Sequence, residues 1–281
     1  MIKLILSDLD ETLLNNDGTV HPENVAAIRE FVAQGGYFVP NTGRSYLSVE
    51  PLLAELGLRG AGQTQYVISY NGGAIAKYVD NEPAEVIMQH GLDFDLAHEI
   101  FDLGLVDDTV DVHVYTVDKL FIYNISASDA AYMAERQVPY EIMPDENWDF
   151  LRDEKPVIKV IFESTNPQTR QKIADAVMAK LADDVLLTFS SERYVEFNAK
   201  GVDKGVTGLE LAGVLDIEVD ETAAMGDNMN DAAQILATGT GVAVANARDE
   251  IKAMANLVLT RTNNEGATAE FIREYVFGKT V

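Results

Sequence analysis

The sequence contains no cysteine, which removes disulfides, thiolate chemistry and cysteine-based metal sites and suits a reducing compartment. It is short of positive charge: 46 acidic residues face 21 basic ones, for a formal charge of −25. Nucleic acid and anionic membrane surfaces are therefore poor partners. It also lacks any run approaching the roughly 20 apolar residues of a membrane span. The apolar stretch at the start, Leu4-Ile5-Leu6, is too short for a signal-peptide core. A cytoplasmic protein is expected.

What is present is ordinary globular material. Over 281 residues, 47% are hydrophobic and 24% charged, enough to bury a real core, and the length suits two domains of unequal size. A strongly acidic chain repels anionic metabolites, so any phosphate site must carry local positive charge acting within about 8–10 Å. A bound cation would supply it.

Lys3 to Leu6 is an apolar run ending in acidic residues, the pattern of a buried strand feeding a functional loop. Pro22 suits an early helical position, and Val25, Ile28 and Val32 recur at helical spacing until Gly35-Gly36. A strand at Tyr37 to Val39, a helix around Val49 to Leu56 and a strand at Tyr66 to Ser69 complete a β-α-β-α-β opening, which predicts a parallel sheet with helices on both faces. After Asn71-Gly72-Gly73 the rhythm changes to short strand-like runs mixed with helices, the mark of an α+β domain. From about Tyr194 the α/β rhythm returns. The expected organisation is a first core part over 1–84, an inserted α+β domain over 85–193 and a second core part over 194–281.

Three segments at predicted strand ends carry chemistry, which is where open α/β sheets place ligands. In Asp8-Leu9-Asp10-Glu11-Thr12, a two-residue spacing puts both aspartates on one side if the strand continues that far. Two close carboxylates beside a cation divide the labour of nucleophile and proton shuttle; an acidic turn capping the next helix is the alternative. Thr42-Gly43-Arg44 offers a hydroxyl, a backbone amide and a guanidinium to a phosphate, or is an ordinary turn with a helix start. In Gly226-Asp227-Asn228-Met229-Asn230-Asp231, Asp227 and Asp231 join Asp8 as oxygen ligands of the kind magnesium takes; the same loop also suits a helix cap. Lys204 opens a predicted helix, where it is either a solvated charge or the counter-charge such a site needs.

In this order, DLDET, TGR, a lysine and GDNMND resemble the haloacid dehalogenase superfamily of phosphatases, and the long insertion between Thr42 and Lys204 resembles the α/β cap of its Cof-type branch. Asn71-Gly72-Gly73, Tyr194 to Gly205 and Asn264-Glu265-Gly266-Ala267 are similar too. The resemblance implies a Rossmann-like parallel-sheet core with an inserted α+β cap, and hydrolysis of small phosphate monoesters such as sugar phosphates through an aspartyl-phosphate. It makes Asp8 the nucleophile and Asp10 the general acid and base, with Mg2+ held by Asp8, the Asp10 carbonyl, Asp227 and, directly or through water, Asp231. Thr42, Gly43 and Lys204 would bind the phosphate, Asn230 would contact the phosphate or the lysine, and Arg44 would contact substrate or stay structural. Asn41 departs from the pattern, since relatives often have a small apolar residue before the threonine.

By the same resemblance the cap closes over the site and sets specificity, so substitution of His113, Tyr115 or Trp148 is expected to re-rank substrates. The spacing of His90, His98 and His113 suggests no metal pair, and for each of them and for Trp148 a solvated or packed side chain is the plainer role. His21 lies in the loop before the first helix. A phosphotransferase or phosphomutase on the same core, and a phospho-accepting signalling module without turnover, are the competing expectations.

Overall fold

The computed structural model describes residues 1–60, 62–136, 138–143, 147–153, 156–190 and 192–278. They form two compact units, residues 1–88 with 203–281, and residues 89–202.

The first unit is built on the strand Leu4–Ser7, whose four side chains are all buried. It pairs in parallel with Tyr37–Pro40 on one side and Thr222–Gly226 on the other, and Thr240–Ala243 and Leu257–Val258 extend the sheet beyond Thr222–Gly226. Both faces are covered, which explains the continuous apolar runs Leu4-Ile5-Leu6 and Ala223-Ala224-Met225. The chain leaves the first strand towards one edge of the sheet and returns much later on the opposite side. The crevice at such a switch point opens between the carboxyl ends of Leu4–Ser7 and Thr222–Gly226.

Two helix starts are fixed by local chemistry. Pro22–Ala33 begins with proline at its first position, and the His21 ring caps it by accepting from the Glu23 amide at 3.3 Å. Lys204–Val214 is capped by Asp203, whose Oδ1 accepts from the Gly205 and Val206 amides at 2.8 and 2.9 Å.

One expected core strand behaves differently. Thr64–Ser69 pairs antiparallel with Ala74–Val79 in a separate three-stranded sheet, and a parallel bridge from Asn41 to Ile68, with the Thr42 amide donating to the Ile68 carbonyl at 2.9 Å, ties it to the parallel strands. The reason is the turn after it: Tyr70, Asn71 and Gly72 all have positive φ (56°, 57° and 105°), which reverses the chain before a crossover helix can form. At Gly72 a Cβ would lie 2.4 Å from the Asp203 carbonyl, so glycine is required where this turn meets the Lys204 helix.

The second unit holds a six-stranded sheet in the order Val185–Ser190, Tyr194–Ala199, Val157–Glu163, Asp111–Thr116, Leu120–Tyr123 and Glu141–Met143, antiparallel except for the last pair. Tyr194–Ala199 lies between two strands of this sheet, so the α/β core resumes after it, at Asp203, and not at Tyr194. Alternate residues Val112, Val114, Val160, Phe162, Val195 and Phe197 pack with Phe101, Ile173 and Val177 into one apolar cluster. The opposite positions, including His113, Lys159, Glu163, Tyr194 and Glu196, carry polar groups. Among the described residues, no helix is long and apolar enough to cross a membrane.

Candidate active site

Asp8 follows directly on the first strand and is 6% exposed. Its Oδ1 accepts from the Lys204 ammonium at 2.5 Å, and the same ammonium donates to Asp231 Oδ1 at 2.7 Å. Lys204, the first residue of its helix, is wholly buried. Asp227 sits at the end of the adjacent strand, held by the Thr12 hydroxyl at 2.8 Å. One oxygen from each of Asp8, Asp227 and Asp231 lies within 4.8 Å of the others.

Asp231 has a different standing from the other two. Its Oδ2 accepts from the Asp227 and Asn228 amides at 3.0 and 3.2 Å, and its Oδ1 accepts from Gln234 as well as Lys204. A Cβ on Gly226 would lie 2.4 Å from the Asp231 side chain, so the strand must end in glycine for this carboxylate to lie beneath the loop. Asn41 completes the arrangement: buried, it donates to the Lys204 carbonyl and to Gln234 Oε1, both at 2.9 Å. The position that departs from the family pattern therefore connects the second strand to the lysine helix and, through Gln234, to Asp231.

Three buried carboxylates around a single ammonium, among the described residues, leave surplus negative charge. Burial pushes the Asp8 carboxyl up to about 8; Lys204 opposes this and Asp231 adds to it. Burial and then Asp231 raise Asp227 to about 7. Burial works against the Lys204 ammonium, but Asp231 and Asp8 outweigh it and hold the lysine charged above its ordinary range.

Asp10 lies elsewhere in character. The strand stops at Ser7, and residues 9–13 form a wide turn in which Glu11 takes a left-handed conformation (φ 58°, ψ 9°). The Asp10 carboxylate is largely exposed, and Arg44 holds both of its oxygens, Nε to Oδ2 at 3.0 Å and Nη2 to Oδ1. Arg44 in this structure thus contacts the partner aspartate. Thr42 is buried at the end of the second strand, with its Oγ1 accepting from the Arg44 amide at 3.1 Å and its carbonyl from the Asn71 amide at 2.9 Å. Gly43 packs against the Asn71 side chain, which a Cβ would approach to 3.3 Å. Asn230 is exposed and is not among the partners of Lys204.

Sequence reasoning missed Thr12, Gln234, Asn246 and Asn263. Asn246 Nδ2 donates to the Glu11 carbonyl at 2.7 Å, and Asn263 Nδ2 donates to the Leu14 carbonyl at 2.9 Å. An isolated polar residue carries no periodic signal, although Asn264-Glu265-Gly266 marked the neighbourhood. In the second unit, His113 is buried against Asp129 at 2.7 Å and Trp148 is packed among Phe94, Phe101 and His98. Both are internal supports, so replacing them disturbs packing and makes them poor reporters of substrate choice.

Comparison with known proteins agrees with this geometry. Residues 5–272 match the haloacid dehalogenase-like hydrolase family. The phosphatase YwpJ of Bacillus subtilis strain 168 is 28% identical, over 97% of this chain and 99% of its own. The 5-amino-6-(5-phospho-D-ribitylamino)uracil phosphatase YcsE of the same organism is 29% identical, over 98% and 96%. A solved haloacid dehalogenase-like hydrolase from B. subtilis superposes with a TM-score of 0.80 at 26% identity, covering 98% of this chain and 100% of that one. The chain belongs to the haloacid dehalogenase-like hydrolases. Within that family it is a phosphatase.

Proposed function

We propose that the protein is a magnesium-dependent hydrolase of small phosphate monoesters, sugar phosphates or related metabolites, acting through an aspartyl-phosphate on Asp8. The observation that carries this reading is the Asp8 carboxylate at a strand end, bound to Lys204 inside a cluster with more buried acid than base. The relative named for 5-amino-6-(5-phospho-D-ribitylamino)uracil supports the substrate class.

The donor set fits magnesium. All candidate ligands are hard oxygens, and the surplus charge of the cluster is what a divalent cation offsets. Asp8 and Asp227 would hold the ion, with the Asp10 carbonyl. Asp231, whose oxygens are already engaged by Lys204, Gln234 and two amides, acts by fixing the Asp227 loop and the lysine. When bound, the ion supplies charge neutralisation at the phosphoryl oxygens.

The chain's own groups do the rest. Asp8 attacks phosphorus in line while Lys204, shifting from Asp8 towards the phosphoryl oxygens, offsets charge that builds in the transition state. Thr42 and the Gly43 amide orient the phosphoryl group. Asp10 protonates the departing alkoxide and then takes a proton from the water that cleaves the acyl phosphate, which requires Arg44 to release one of its oxygens. A panel of phosphorylated metabolites assayed with and without Mg2+, with acid-quenched protein analysed for hydroxylamine-labile phosphate, tests the reading. Turnover that survives exhaustive chelation, or phosphate on a residue other than Asp8, overturns it.

A further inference from the structure

The Asp10 turn is shaped by groups far away in sequence. Glu11 is a non-glycine residue in the left-handed region, a conformation of sparse population that persists only when its surroundings fix it. The carboxylate of Asp10 is exposed and touches Arg44, which is itself 42% exposed, so neither burial nor a rigid neighbour fixes it in place. Two asparagine amides grip the backbone instead. Asn246 Nδ2 donates to the Glu11 carbonyl at 2.7 Å, while Asn246 Oδ1 accepts from the Asn263 amide at 2.9 Å. Asn263, buried, donates through Nδ2 to the Leu14 carbonyl and to Asn16 Oδ1, both at 2.9 Å. The turn is thereby held at its middle and just past its end by one linked pair.

We infer that Asn246, braced by Asn263, is a positioning residue for Asp10, acting through the Glu11 carbonyl to keep the acid/base carboxylate aimed at the reacting oxygen. The inference rests on the assignment of Asp10 made above. Its physical basis is that an error of about 1 Å in the placement of a reacting group costs on the order of 10²-fold in rate. The loop carrying Asn246 also secures the neighbouring strand end, since the Arg248 amide donates to the Asp227 carbonyl at 2.9 Å. A test must therefore separate an effect through Asp10 from a general loosening of the site.

A double-mutant cycle on the full chain with p-nitrophenyl phosphate and Mg2+ does so. Nitrophenolate departs without a proton, so the first step tolerates a misplaced Asp10 while the second does not. Asn246→Ala is expected to lower kcat by about 10²-fold without raising KM. Rapid mixing should show a burst near one nitrophenolate per site with a rate constant within about threefold of the native one. In an Asp10→Asn background the same change should cost less than about threefold, because the group it positions is already disabled. Asn246→Asp keeps the acceptor for Asn263 but removes the donor to Glu11, and should match Asn246→Ala. Native kcat in Asn246→Ala, or a 10²-fold loss repeated in the Asp10→Asn background, overturns the positioning role. If Asp10→Asn alone turns over at the native rate, the acid/base assignment itself fails and takes this inference with it.

Discussion

Both units of the chain bury charge on a β-sheet, but they balance it differently. In the second unit the charges close in pairs: buried Lys159 meets Glu196 at 2.8 Å and half-buried Arg193 meets Glu163 at 2.6 Å, while the buried His113 ring lies beside Asp129. In the first unit the ammonium of Lys204 is set among the carboxylates of Asp8, Asp227 and Asp231. Buried pairs that close on themselves are architecture. A buried cluster left with surplus charge is costly unless something else completes it, and that imbalance marks the site.

The largest expected effect comes from reducing the imbalance. Asp8→Asn should lower turnover by about 10⁴–10⁶-fold, the scale seen when a covalent nucleophile is removed, yet make the metal-free protein more stable. The Asp8 carboxyl is raised in the folded state, so the native protein loses stability as pH climbs from about 4 through about 8. Asparagine does not titrate. The gain should be absent near pH 4 and reach about 2 kcal/mol by pH 8, well below the full shift because Lys204 and Asp231 relax around it. Thermal melts across pH check the sign; a variant less stable at pH 8 than the native protein would break the comparison.

Removing one cation from each unit gives the next contrast. Lys204→Met and Lys159→Met should each cost about 3–5 kcal/mol, since each strands buried carboxylate. Only the first should abolish turnover of p-nitrophenyl phosphate. Adding Glu196→Leu to Lys159→Met should restore stability, measured by urea unfolding, whereas no single change repairs Lys204→Met.

Magnesium should act on the first unit alone, and in proportion to pH. At pH 8 a hundredfold excess over Kd should add about 2.7 kcal/mol of stability. At pH 5 the response should nearly vanish, because protons on Asp8 and Asp227 then compete with the ion. Asp227→Ala should abolish the response at both pH values in melting experiments.

The smallest effect sharpens the comparison from the other side. Asp111 is an unbalanced acid in the second unit, raised by burial to about 6 although the Ser126 amide donates to it at 2.7 Å. Asp111→Asn should therefore stabilise by about 1–2 kcal/mol above pH 6 and change nothing near pH 4. Its turnover of p-nitrophenyl phosphate should match the native rate; a loss there would show that imbalance alone does not separate site from scaffold.

Residues at strand ends were the legible part of the sequence. Asp8, Thr42, Asp227 and Lys204 each stand where an apolar run stops or a helix begins, so local pattern located them. The strand at Tyr66 to Ser69 was legible as a strand but not in its pairing. Its direction depends on Tyr70 and Asn71 adopting positive φ, and only Asn71-Gly72 hints at that. Tyr194–Ala199 misled for a related reason: an apolar alternation looks the same in either sheet, and its neighbours lie 30 or more residues upstream or just across a hairpin. Asn41, Gln234 and Asn246 were invisible because each acts through one bond to a distant segment.

Asp8 and Lys204 are separated by 196 residues. At a synthesis rate of about 5–20 residues per second, Asp8 waits about 10–40 s for its lysine. During that interval the first strand has Tyr37–Pro40 available on one side, while the side that Thr222–Gly226 will cover stays open. The first strand, with three aliphatic residues of four, is thus left with an open edge in the nascent chain, and the site is among the last features to assemble on the ribosome. Slow or stalled translation of residues 89–202 endangers the unit on either side of them more than the insertion itself.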